Sequence, residues 1–76
     1  MNAPLFRPLL VTPGRRDRVL TASSESLDGA LGAFRRHGYL EATVEQRACR
    51  ATYQGRDCQS WWVWDGARRV GRIVTV

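Results

Sequence analysis

The chain has 76 residues, with twelve basic against seven acidic side chains and a formal net charge of +5. A chain this short buries only roughly 60% of the surface it exposes unfolded, so there is room for one sheet and one helix and no deep cleft between domains. All the basic residues are arginine, and with two cysteines and one histidine no four-ligand zinc set can be assembled.

Residues 1–16 read as an arm. Pro4, Pro8 and Pro13 divide it, and Pro13-Gly14 marks a turn. The run Leu9-Leu10-Val11 suits an edge strand, where proline is tolerated, or an extended segment docked on a partner. Residues 17–76 read as a single domain. Arg18 to Ala22 suggests a short strand, and Ser23-Ser24-Glu25 announces a helix with Ser24 as its N-cap. Leu27, Ala30, Leu31 and Phe34 form one apolar stripe, and Arg35, Arg36 and His37 complement the negative end of the helix dipole. Gly38 is the left-handed stop, and Phe34 with Tyr39 supplies the apolar pair of a Schellman ending.

Beyond Tyr39 the periodicity falls to two. Leu40 to Tyr53 reads as a long strand, Gln54 to Asp57 as a turn and Cys58 to Trp64 as the next strand. Asp65-Gly66 is a hairpin signal, and Arg69 to Val76 returns as the last strand. Apolar residues change parity between Leu40-x-Ala42-x-Val44 and Cys49-x-Ala51-x-Tyr53, which predicts a bulge near Glu45 to Ala48. The fold class is therefore α+β: an antiparallel sheet of three or four strands, one helix on one face, order β-α-β-β-β after the arm.

Three tryptophans in four residues (Trp61, Trp62 and Trp64) fall on opposite faces of a strand. Pairing Tyr53 with Cys58 gathers Cys49, Ala51, Tyr53, Cys58, Ser60 and Trp62 on one face, which the helix stripe could cover. A three-residue loop at Trp64 to Gly66 adds Val70 and Val74 to that face. Trp61 then lies on the uncovered face among Arg50, Arg69 and Gln59. The alternative is that the arm folds across and shields Trp61 through Phe6, Leu9 or Leu10. A homodimer through the open face is a third arrangement.

No residue set carries covalent or acid–base chemistry. His37 belongs to a helix end, the cysteines read as separate core residues, and the carboxylates are dispersed among arginines as solvated ion pairs. The expectation is a non-enzymatic protein without cofactor or metal. The arginines are the remaining signal. Arg15-Arg16-x-Arg18 precedes the first strand; Arg47, Arg50 and Arg56 line one hairpin; Arg68, Arg69 and Arg72 line the last. Arg47, Arg50, Arg56, Trp61, Arg68, Arg69 and Arg72 form the candidate partner-binding set. Arginine and tryptophan on an open sheet suit single-stranded nucleic acid, and equally a protein interface. No leader segment and no apolar run near the ~20 residues of a membrane span is present, so a cytoplasmic protein with no membrane partner is expected.

Glu25-Ser26-Leu27 at the helix start, Thr43-Val44, Trp61 or Trp62, and Asp65-Gly66 at the last hairpin form a recognisable series. Over residues 18–74 this arrangement resembles small phage-encoded inhibitors of host defence, in particular some type I anti-CRISPR proteins. The arginine-only basicity and the proline-rich arm depart from that pattern. The resemblance implies a protein without catalytic residues that occludes or locks a host nucleoprotein complex, a CRISPR effector being the suspected partner. Direct nucleic-acid binding is the alternative.

Overall fold

The computed structural model describes residues 3–76, so residues 1 and 2 of the arm lie outside the described residues. The elements are β1 (Phe6–Leu10), β2 (Arg18–Val19), α1 (Leu27–His37), β3 (Ala42–Val44), β4 (Cys49–Tyr53), β5 (Arg56–Asp65) and β6 (Arg68–Thr75). They make one antiparallel sheet of six strands in the order β2-β1-β6-β5-β3, with β4 also paired to β5. The α+β class with a single helix stands, and the three or four expected strands become six.

The extra strands come from two places. The arm supplies β1, which lies between β2 and β6 rather than at an edge. Pro8 is tolerated there for a local reason. Phe6 N–H bonds the Ser24 carbonyl, so the nitrogen of residue 8 faces the same side. The partner segment between Val19 and Ser24 is irregular there and needs no donor. The long strand Leu40 to Tyr53 is instead divided into β3 and β4, which pair with successive halves of the ten-residue β5. Residues 45–48 form the interruption, where a bulge was expected. The expected strand Arg18 to Ala22 shrinks to two residues.

The helix follows local rules. Its N-cap is Ser26, not Ser24: the Ser26 Oγ accepts from Gly29 N–H at 3.0 Å. Ser24 serves the sheet instead, exchanging two backbone hydrogen bonds with Phe6. At the other end Gly38 N–H bonds the Arg35 carbonyl and Tyr39 N–H bonds the Phe34 carbonyl, with Gly38 at φ 123°. These are the two bonds of the Schellman ending.

The helix covers the face expected to be open. Its buried residues Ala30, Leu31 and Phe34 pack with Ala42, Val63, Val70 and Ile73. Val63 and Ile73 share parity with Trp61, so the helix lies on the Trp61 face. Gly71 shows why. A Cβ there would meet the Phe34 ring and the Leu9 carbonyl, so the bare backbone is where the helix's largest side chain seats. The sheet glycine makes this close approach; the helical glycines Gly29 and Gly32 face Ser24, Ser26 and Arg36 instead.

Two registers differ from expectation. Tyr53 pairs with Arg56, not Cys58, around a two-residue Gln54-Gly55 turn in which both residues have positive φ, 52° and 76°. That conformation matches the strand twist of a type I′ hairpin. The shift is by two residues, so the grouping of Cys49, Ala51, Cys58, Ser60 and Trp62 on one face survives. At the last hairpin Gly71 and Ile73 take the Trp61 side, and Arg72 and Val74 the Trp62 side. A bulge opposite Val63 and Trp64 reverses the expected sides of Arg69 and Val70, turning Val70 into the core.

Candidate functional site: an arginine–aromatic row in the hollow of the sheet

The face away from the helix is not flat. Leu9 and Val74 lie on it, and both are fully buried, as is Ser60 at 2% exposure. Their cover comes from the sheet's own curl. β4 and β1 are three strand spacings apart and Tyr53 lies four residues beyond Arg7 along the ladder, roughly 19 Å on a flat sheet and more than the two side chains can span. Yet Tyr53 Oη of β4 lies 3.5 Å from Arg7 Nη1 of β1. The hairpin β4–β5 bends over, and the small side chains Ala51, Cys58 and Ser60 leave room for the bend. Arg72 from the middle strand β6 lies on the same side of the sheet as Tyr53, its guanidinium 5.9 Å from the ring centroid.

This hollow arranges cations and rings alternately. The Arg69 guanidinium lies 4.1 Å from the centroid of Trp62. Trp62 is directly opposite Arg72 on the neighbouring strand. Arg72 and Arg7 approach Tyr53, with Arg7 5.8 Å from its centroid. The sequence across the face is thus Arg69, Trp62, Arg72, Tyr53, Arg7. Guanidinium groups keep most of their hydrogen-bonding capacity when resting on a ring, so such pairs hold the cation in place without neutralising it.

Two open grooves flank Tyr53. One, of about 570 Å³, is lined by Arg15, Arg16, Asp17, Thr52, Tyr53 and Arg72 among others. The other, of about 580 Å³, includes Arg7, Tyr53, Arg56 and Asp57. Among the described residues only one ion pair forms, Arg72 Nε to Asp17 Oδ2 at 2.7 Å. The expectation of carboxylates dispersed in ion pairs is therefore replaced by arginines that are largely unpaired. Elsewhere Arg7 Nε donates to Ser23 Oγ at 3.3 Å, and Arg35 Nη2 donates to the Ala42 carbonyl at 3.1 Å.

The seven residues expected to bind a partner are divided by the sheet. Arg56, Arg69 and Arg72 share the hollow face. Trp61, Arg50 and Arg68 have the opposite parity, and Arg47 sits exposed in the loop of residues 45–48. Trp61 is neither open nor among Arg69 and its neighbours. It is half-buried, its ring 5.6 Å from Phe6 of β1, so the leading segment shields it through Phe6. Trp62, expected under the helix, is instead the half-buried ring of the hollow. Trp64 shares its side and donates from Nε1 to Glu45 Oε1 at 2.8 Å, pinning the loop that carries Arg47.

Arg7, Arg15, Arg16, Tyr53 and Trp62 complete the row and its grooves and were absent from the candidate set. Arg15 and Arg16 stand out in the sequence as an arginine cluster and Trp62 as one of three clustered tryptophans, but the expected register assigns Trp62 to the core; Arg7 shares a strand face with Leu9, and Pro8 between them disguises the strand. Tyr53 reaches the row through curvature, which no local pattern encodes. The cysteines are free, and strand pairing makes them diagonal neighbours, Cys49 opposite Ser60 and Cys58 opposite Ala51, closer than the expected register placed them. Among the described residues no group of three or more His, Cys, Asp or Glu is placed to hold a metal, and no helix is long and apolar enough to cross a membrane. Comparison with protein-family models, with curated proteins and with solved structures returns no match.

Proposed function

We propose that this protein is a non-enzymatic binder of nucleic acid, contacting it through the hollow face of the sheet. The observation that carries the reading is the Arg69–Trp62–Arg72–Tyr53–Arg7 row with a single carboxylate partner among its cations. Guanidinium groups held in fixed positions and, Arg72 apart, without a carboxylate partner suit phosphate oxygens. The flanking Arg15, Arg16 and Arg56 extend the positive surface along both grooves.

A steric inhibitor of a host nucleoprotein complex, as the anti-CRISPR resemblance implies, is a separate reading. Charge bears on how it would act. A basic face sits on the complex's own nucleic acid; insertion into a basic nucleic-acid channel would set like charges together.

The test is fluorescence anisotropy with labelled oligonucleotides across a salt series. Affinity should fall steeply as salt rises, because each phosphate contact releases counterions, at about 0.7–0.9 in the log–log slope per contact. Arg15→Ala with Arg16→Ala should flatten the slope by about 1–2, whereas Arg36→Ala, exposed on the helix, should leave it unchanged. Absence of binding at low salt would sink the proposal.

A further inference from the structure

Resting on the nucleic-acid reading, we infer that the ligand is a single strand whose bases stack on Trp62 and Tyr53, not a duplex. Arginines alone would serve a duplex, which turns its phosphates outward and hides its base faces. Rings set between arginines on a sheet face serve unpaired bases, since every base has a π-face to offer.

The geometry gives each part of a strand a partner. Trp62 and Tyr53 are both half-buried, so each ring is anchored in the sheet and still reachable. Each carries guanidinium groups beside it, Arg69 on Trp62 and Arg7 with Arg72 on Tyr53. A guanidinium is a flat cation that stacks much as a base does, so a base can take its place or extend the stack. The displaced guanidinium is then free to turn to a phosphate. Arg72 is paired with Trp62 across β5 and β6 and its guanidinium is 5.9 Å from the Tyr53 centroid, so one cation serves the stretch of strand running from one ring toward the other. On either side of Tyr53 the strand continues into grooves carrying Arg15 and Arg16, or Arg7 and Arg56. Asp17 presently occupies Arg72 as a carboxylate in a position that a phosphate would contest.

The experiment titrates the full chain with an oligothymidylate, an oligouridylate and a blunt duplex of equal length, by anisotropy and by tryptophan emission at one salt concentration. Either single strand is expected to bind at least about tenfold tighter than the duplex and to quench emission. The two single-stranded arms separate DNA from RNA. Trp62→Leu and Tyr53→Leu are each expected to weaken single-strand binding by roughly fivefold to a hundredfold without altering the salt slope or duplex binding. Trp62→Phe, which keeps a smaller ring for stacking, should weaken single-strand binding less than Trp62→Leu does and lose part of the quench. If Trp62→Leu fails to fold, Trp62→Phe and the strand-against-duplex comparison still decide. Equal or tighter duplex binding, or single-strand affinity indifferent to both ring substitutions while the arginine variants still flatten the salt slope, overturns this inference and leaves the nucleic-acid reading in place. No binding of any of the three at low salt overturns both.

Discussion

Arg72 is the residue on which the hollow turns. Its strand neighbour is Trp62, its nearest ring on the other side is Tyr53, and its guanidinium is held at 2.7 Å by Asp17. Both side chains are mostly buried, at 16% and 22% exposure, so the pair is desolvated enough to orient the cation. It is still close enough to solvent for an incoming anion to compete. Asp17→Asn keeps a hydrogen-bond acceptor and removes the competing charge. It is expected to raise nucleic-acid affinity severalfold and steepen the salt slope by about 1, while lowering stability by about 1–3 kcal/mol; anisotropy and urea melts measure the two effects. Weaker binding in that variant would mean that Asp17 positions Arg72 for its partner. Gln54 illustrates a different residue-scale choice. It accepts a left-handed backbone at φ 52° in a turn where Asn or Gly is customary, which is why the turn was read as longer than it is.

At the scale of elements, the helix was legible and the sheet faces were not. The helix's stripe, its basic last turn and its Phe34-Gly38-Tyr39 ending all act within a few residues, and each was readable from Leu27 to Tyr39. Only the cap was misplaced. Ser26→Ala should lower stability by about 1 kcal/mol through loss of the bond to Gly29. That shift in the thermal or urea midpoint tells the cap from Ser24, whose backbone bonds to Phe6 a side-chain change leaves in place. The sheet hid its logic because it has two apolar faces at different ends. Ala42 and Val44 of β3 face the helix; Ala51 and Tyr53 of β4 face the hollow. Reading both sets as one core forced a choice of face, and the choice placed the helix over Trp62. The parity of Trp61 and Trp62 was correct. What covered each was decided by β1 and by curvature, both of which depend on partners far along the chain. The candidate set divided accordingly: Arg56, Arg69 and Arg72 share the hollow face, while Arg7 and Tyr53, which meet there, are 46 residues apart in sequence.

For the whole molecule, the leading segment is structural. β1 carries Leu9, fully buried on the hollow side, and Phe6, which packs on Trp61 on the other. It also joins β2 to the rest of the sheet. Removing residues 1–11 is therefore expected to abolish cooperative folding, with loss of amide dispersion in NMR spectra and of a sigmoidal melt. A truncated chain that still melted cooperatively with its native spectrum would return the segment to the role of a docked arm. Nucleic-acid binding should disappear with it, since Arg7 goes and Tyr53 loses its seat.

The pairing of β1 with β6 ends in two backbone bonds, Leu5 N–H to the Val76 carbonyl at 3.3 Å and Val76 N–H to the Leu5 carbonyl at 2.9 Å. The earliest strand in the chain therefore waits for the latest. Until β6 is available, Phe6, Leu9 and Leu10 have only the short β2 segment and Ser24 to pair with, and contacts as long in sequence as those of β1 with β6 slow the search for the native state. Because β1 and β6 lie side by side, a short peptide bridging Leu5 and Val76 and a fresh opening at the Gly14 turn would convert that distant closure into a local hairpin. The same architecture would then assemble along a shorter route.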